Sequence, residues 1–150
     1  MIDQSWQSLI VRDEQGLRAA LDETHTIAVL GIKTAQQSGQ PAYEVPRYMQ
    51  AAGFRIIPVP VYFPEVTTIL GEPVVRSCAD APHPVDMVNV FRRSQDVAPH
   101  VDDIIAAGPK VVWLQLGIRS DEAAERFARA GIRVVQDRCL MVDHARLTRR

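Results

Sequence analysis

Gly31-Ile32-Lys33-Thr34, directly after an apolar run, is the segment whose residue types and spacing best suit the capture of an anion. Gly31 permits a sharp turn. The backbone N–H groups of Ile32, Lys33 and Thr34, with the N-terminus of a following helix, would face a phosphate without help from overall charge. Lys33 would add a direct contact. The same residues also read as a plain strand end followed by a solvated lysine. Arg92-Arg93 carries the same pair of readings, a phosphate grip or a solvated strand exit.

Cys139 stands near Asp137, Asp143 and His144, a set that suggests either a thiol nucleophile with its base or a metal cluster. The spacing lacks the CxxC or HxxxH pattern that a metal site needs, so no metal is expected. A nucleophile needs a base and an orienting partner in space. The plainer reading is a small buried thiol whose charged neighbours tie down the C-terminal tail, with Arg146, Arg149 and Arg150 as a solvated basic end. His25, His83 and His100 are isolated from one another and read as surface or cap residues. Trp113 lies within an apolar strand and reads as core.

The elements that must position these residues alternate on a regular beat. Leu17, Ala20 and Leu21 mark a helix over residues 13–22. Residues 26–30 are a continuous apolar run, as in a parallel strand covered on both faces. Val45, Tyr48, Met49 and Ala52 give a crossover helix stopped by Gly53. Residues 54–59 form a second strand, whose Pro58 and Pro60 cannot donate to a central ladder. Residues 62–84 are irregular, with a turn at Leu70-Gly71-Glu72-Pro73 and one helical turn over 77–81. Residues 85–91, 111–116 and 132–136 are strands three to five. Between them run a helix with Val97, Val101, Ile104 and Ile105, closed by Gly108-Pro109, and a helix N-capped by Ser120 that buries Ala123, Ala124, Phe127 and Ala128. The expected architecture is one α/β domain over residues 1–150. It is a Rossmann-like doubly wound parallel sheet of about five strands, order 3-2-1-4-5, with helices on both faces and ligands at the carboxyl edge beside strand one.

The 150 residues suffice for a core without disulfide or metal support. A net charge of −1, from 17 basic and 18 acidic residues, provides no general field for nucleic acid or an anionic membrane. The polar start and the absence of a long apolar run predict no membrane span, and two distant cysteines suit a reducing cytoplasm. The complete G-x-G-x-x-G is missing and no acidic residue ends strand two, which disfavours NAD.

Three blocks carry a family resemblance: Val85-Asp86-Met87-Val88-Asn89-Val90-Phe91-Arg92, Val112-Trp113-Leu114-Gln115-Leu116-Gly117-Ile118, and residues 130–144 with Asp137-Arg138-Cys139 at their centre. They resemble the signature segments of the small bacterial coenzyme A-binding proteins, single-domain relatives of the nucleotide-binding domain of the succinyl-CoA synthetase alpha subunit. The resemblance spans residues 11–147. It implies a site for coenzyme A or an acyl-CoA, with the diphosphate at Gly31, Ile32, Lys33 and Thr34. Val59, Pro60 and Val61 would lie along the ribose and 3′-phosphate, Phe91 and Arg92 near the adenine, and Gln115 and Gly117 beside the pantetheine arm. Two departures stand out: a longer, glutamine-rich loop after Gly31, and Val59-Pro60 where the family commonly has Asn-Pro. Ligase chemistry in the synthetase uses a histidine in a second domain, so a small-molecule binder without catalysis is expected. The alternatives are a thioester-processing enzyme using Cys139 or Cys78, and a sensor for another adenine nucleotide such as NAD(P). Apolar residues of the 62–75 region without an obvious place in the sheet raise a homodimer as a further expectation.

Overall fold

The computed structural model of the chain describes residues 5–148; the expected basic end at Arg149 and Arg150 lies outside them. The apolar run becomes β1 (Thr26–Leu30), and its alternating side chains feed two separate cores. Ile27 and Val29 join the core on one face, while Ala28 and Leu30 join the other. Helix α1 (Glu14–Asp22) precedes β1, started by Asp13, whose carboxylate accepts the Gly16 N–H at 2.9 Å. Helix α2 (Pro41–Ala51) follows, with Pro41 at a position where a missing N–H costs nothing. Strand β2 (Arg55–Val59) then pairs with β1 in parallel. It is an edge strand of the sheet, which accommodates Pro58.

Next comes a two-stranded hairpin, β3 (Thr68–Ile69) and β4 (Glu72–Pro73). Leu70 and Gly71 both take left-handed φ, 56° and 77°, as a two-residue primed turn requires. The hairpin packs along the outer edge of β2, where the Val75 N–H donates to the Pro58 carbonyl at 3.0 Å. Its apolar residues find places in the protein: Ile69 is buried, and Val66, Leu70 and Val74 pack on the same core.

The remaining elements are β5 (Met87–Val90), α3 (Val101–Ala107), β6 (Val111–Leu114), α4 (Asp121–Arg129), β7 (Arg133–Val135) and α5 (Leu140–Thr148). The parallel sheet runs β2-β1-β5-β6-β7. The α/β doubly wound architecture is as expected. With the hairpin beyond β2 counted as the third element, the row follows the 3-2-1-4-5 pattern and β7 adds a sixth member. The strand over 85–91, expected as third, stands instead on the far side of β1, so the five parallel strands alone read 2-1-3-4-5 in chain order. The reason is that residues 62–84 fill the place beyond β2, leaving the next strand the free edge of β1.

Helices α1, α2 and α5 cover one face, through Leu17, Val45, Met49 and Leu140 against Ile56 and Trp113. Helices α3 and α4 cover the other, through Ile104 and Phe127 against Val88 and Val112. Trp113 is fully buried and its indole N–H donates to the Arg138 carbonyl at 2.8 Å. Two expectations are corrected. Residues 94–100 form two 3₁₀ turns, Ser94–Asp96 and Ala98–His100, and the α-helix begins only at Val101, after Pro99 has removed a donor. The C-terminal segment is a helix: Leu140, Asp143 and Leu147 share its buried face, and Arg146, though exposed, pairs with Glu14 and Asp143.

At the carboxyl edge Gly31 turns with φ 87° and donates its N–H to the Val59 carbonyl at 2.8 Å. A Cβ there would sit 2.4 Å from the Phe91 carbonyl oxygen. Gly31→Ala is therefore expected to lower the unfolding free energy by roughly 2–4 kcal/mol, measured by urea denaturation. A loss below about 0.5 kcal/mol, the range of ordinary surface changes, would contradict this packing.

Candidate functional site

A cleft of about 470 Å³ opens at the carboxyl ends of β1, β5 and β6, the place where a doubly wound sheet leaves a crevice. Lys33, Arg92 and Arg93 line it, and no carboxylate does so among the described residues. Phe91, Leu116 and Ile118 supply apolar surface, and Leu116 is 66% exposed. The first turn of α2 reaches the same cleft through Pro41 and Ala42, and brings the positive end of the helix dipole with it.

The loop after β1 works differently from the sequence expectation. The Lys33 N–H donates to the Ala42 carbonyl at 3.1 Å, and the Thr34 N–H to Gln37 Oε1 at 3.0 Å. Pro46 explains the first contact: it has no N–H to return to Ala42 four residues earlier, so that carbonyl is left for the loop. Thr34 and Gln37 form a reciprocal cap around a short 3₁₀ turn, Ala35–Gln37. With Gly31 also donating internally, the Ile32 N–H is the amide of residues 31–34 without a protein acceptor among the described residues. The Lys33 ammonium faces the cleft and donates to Gln40 Oε1 at 2.6 Å.

Of the residues expected at the site, Lys33, Phe91, Arg92, Gln115 and Gly117 meet in the cleft. The side chains of Ile32 and Val59 are buried in the two cores, Pro60 is buried, and Val61 packs against the α3 and α4 side. Thr34 lines a separate depression with Tyr43, Phe63 and Leu70. Gly31 contributes through its turn, not through contact with the cleft.

Tyr62, just beyond β2, is a neighbour that the sequence reading missed; an aromatic three residues past a strand end was its signal. The Arg92 guanidinium lies 5.6 Å from the Tyr62 ring centroid, and its Nη1 is 3.5 Å from the phenol oxygen. The hydrogen bond from Arg92, and then its charge, hold the Tyr62 phenol below its ordinary pKa. Arg92 Nε is buried with no hydrogen-bond partner among the described residues. Burial first, and the Arg92 charge next, push His100 below its usual value. Arg92 is thus a cation with little internal compensation, whereas Arg93 pairs with Asp96 at 2.9 Å.

A second cleft, about 550 Å³, lies beyond β7 among Arg12, Glu14, Arg119, Asp137, Arg138 and Arg146. It is larger, yet most of its charge is spent internally. Arg138 grips Asp143, Arg146 pairs with Glu14 and Asp143, and Arg119 reaches Asp121 at 3.2 Å. The first cleft is therefore the better anion site.

The acid and the base of the cysteine cluster are engaged by other residues. Asp143 is taken up by Arg138 and Arg146, and His144 Nδ1 meets the Tyr48 hydroxyl at 3.0 Å, with Phe54 edge-on to its ring. Neither cysteine lines the 470 Å³ cleft. Burial, with Asp103 alongside, pushes the Cys78 thiol up to about 12. Among the described residues, no group of three His, Cys, Asp or Glu could hold a metal ion, and no helix is long and apolar enough to cross a membrane.

A family model described as a CoA binding domain matches residues 25–145. The uncharacterized protein YneT of Bacillus subtilis (strain 168) is 32% identical over 129 residues, covering 86% of this chain and 92% of its own. Cell-free ID.343 from Thermus thermophilus is 42% identical with a TM-score of 0.81, covering 91% of this chain and 99% of that one. The dinucleotide-forming acetyl-coenzyme A synthetase 1 of Ca. Korarchaeum cryptofilum shares the fold, at 22% identity and a TM-score of 0.63, over 76% of this chain and 26% of that one.

Native Cys78 is expected to resist iodoacetamide at pH 8 and to react fully after denaturation, as read by mass spectrometry. Labelling of the native protein at the rate of a free thiol would contradict its burial.

Proposed function

The chain belongs to the CoA binding domain family, and on that premise we propose that its cleft at the ends of β1, β5 and β6 holds coenzyme A or an acyl-CoA without transforming it. The observation that carries the reading is the lining of that cleft. Three cations and, among the described residues, no carboxylate line it against an apolar wall, in a protein whose net charge is −1. A ligand that suits both parts has a polyanionic end and a long arm of low charge. Coenzyme A has this form.

In this account side chains and a helix end hold the phosphates. Lys33 and Arg92 provide charge-assisted donors, and the α2 N-terminus adds the helix dipole and the Ala42 N–H, which meets no acceptor among the described residues. Arg92 pays little to turn toward a phosphate, because its present contact with Tyr62 is long. Tyr62 stands on the β2 side of the same arginine and extends the site toward the strand end expected to follow the ribose.

The thiol-dependent alternative has no geometric support, since neither Cys78 nor Cys139 reaches the cleft. The NAD(P) alternative lacks a carboxylate at the end of β2, where Val59 and Pro60 are buried.

The test is calorimetric titration with CoA, acetyl-CoA, NAD, NADP and ATP. CoA or acetyl-CoA is expected to bind at least tenfold tighter than NAD or NADP. Arg92→Ala and Lys33→Glu are each expected to weaken CoA about 10- to 100-fold, the loss of one charged hydrogen bond or its replacement by repulsion. Equal affinity for all five nucleotides, or undiminished CoA binding by both variants, would overturn the assignment.

A further inference from the structure

Gln115 follows β6 directly and lines the cleft, yet it is only 4% exposed. Its carbonyl oxygen is already committed. Leu140, at the start of α5, donates its N–H to Gln115 Oε1 at 3.3 Å, and Asn89 Nδ2 donates to the same oxygen at 3.3 Å. Asn89 is itself oriented, because its Nδ2 also donates to the Trp113 carbonyl at 3.1 Å and the residue is 1% exposed.

These contacts decide which way both amides point. Exchanging the oxygen and nitrogen of Gln115 would set an NH2 group against a backbone N–H that cannot change its nature. Exchanging them in Asn89 would set an oxygen against the Trp113 carbonyl. The Gln115 NH2 group is therefore turned away from Leu140 and Asn89, and among the described residues no acceptor meets it. On a side chain only 4% exposed that lines the cleft beside Leu116, Ile118 and Phe91, an amide donor without a protein acceptor among the described residues is a group prepared for a ligand.

On the reading that this cleft takes coenzyme A, we infer that Gln115 is a fixed hydrogen-bond donor to a carbonyl oxygen on the ligand's uncharged arm, backed by Asn89 and the first amide of α5. The ligand class that follows is one with an amide or thioester carbonyl flanked by apolar groups. A ligand with a donor at that point leaves two N–H groups facing each other and is rejected. The arm is thereby read by polarity and not only by apolar contact, which separates it from the phosphate-binding end at Lys33 and Arg92.

Gln115→Glu tests this because the carboxylate keeps an oxygen for Leu140 and Asn89 while turning the outward donor into an acceptor. Wild-type protein and variant are titrated calorimetrically with CoA and with adenosine 3′,5′-bisphosphate, which lacks the arm. The variant is expected to bind CoA at least tenfold more weakly and adenosine 3′,5′-bisphosphate within twofold of wild type. Gln115→Met, which removes the donor without adding charge, is expected to weaken CoA in the same sense, and it serves if the glutamate variant does not fold. Unchanged CoA affinity in both variants, or equal losses for the two ligands, would overturn the donor role while leaving CoA binding in place. Wild-type protein that binds neither ligand would overturn the cleft's assignment to CoA, and the donor role with it.

Discussion

Three strand ends meet at Gly31, and the geometry of the cleft is measured from that residue. Its N–H ties the end of β1 to the Val59 carbonyl on β2, while its missing side chain lets the Phe91 carbonyl at the end of β5 come close. Any Cβ would push β5 away from β1. The stem of Arg92 also passes over this glycine, 3.4 Å from where the Cβ would lie, which places the guanidinium beside Tyr62. A backbone requirement at one residue thus positions a cation contributed by another strand.

The loop beyond Gly31 is held by a second backbone constraint. Pro46 leaves the Ala42 carbonyl without its helical partner, and the Lys33 amide takes it, drawing the loop against the first turn of α2. The consequence is chemical. Amides that would have surrounded a phosphate are consumed in shaping the loop, and the positive character of the cleft passes to the Lys33 and Arg92 side chains and to the helix end. On the opposite wall the turn at Gly117 is held from the β7 side: its N–H donates to Asp137 Oδ1 at 2.7 Å, and the Asp137 N–H donates to the Ile118 carbonyl at 3.1 Å. Asp137 accepts a left-handed φ of 58° to do this, a conformation costly for a residue with a side chain. Two rigid walls therefore face each other across the apolar surface of Phe91 and Leu116.

Much of this was legible in the residues. β1 was readable to its boundaries because Thr26 and four apolar residues ended by Gly31 make a run too short for a helix and suited to a strand covered on both faces. α4 was readable because Ser120 and Gly131 bracket a clear apolar stripe. α5 was hidden by charge: Asp143, Arg146 and His144 resemble a solvated tail until Arg138 and Glu14 arrive from distant segments to pair with them. The place of the strand over 85–91 was unreadable because neighbours in a sheet depend on what the irregular 62–84 segment covers. Occupation of the Lys33 amide had a visible cause in Pro46, but its partner was set by how the loop folds back. The cations of the cleft could be named from sequence; that no carboxylate among the described residues lines the cleft with them, and that Gln115 is held in one orientation, are facts of three-dimensional packing.

The most direct measurement is a crystal structure of the protein grown with coenzyme A. The account predicts phosphates against Lys33, Arg92 and the first turn of α2, with the pantetheine arm running past Phe91 and Leu116 toward Gln115. Coenzyme A seated in the cleft beyond β7, among Arg12, Arg119 and Arg138, with the β1–β5–β6 cleft left open, would contradict it.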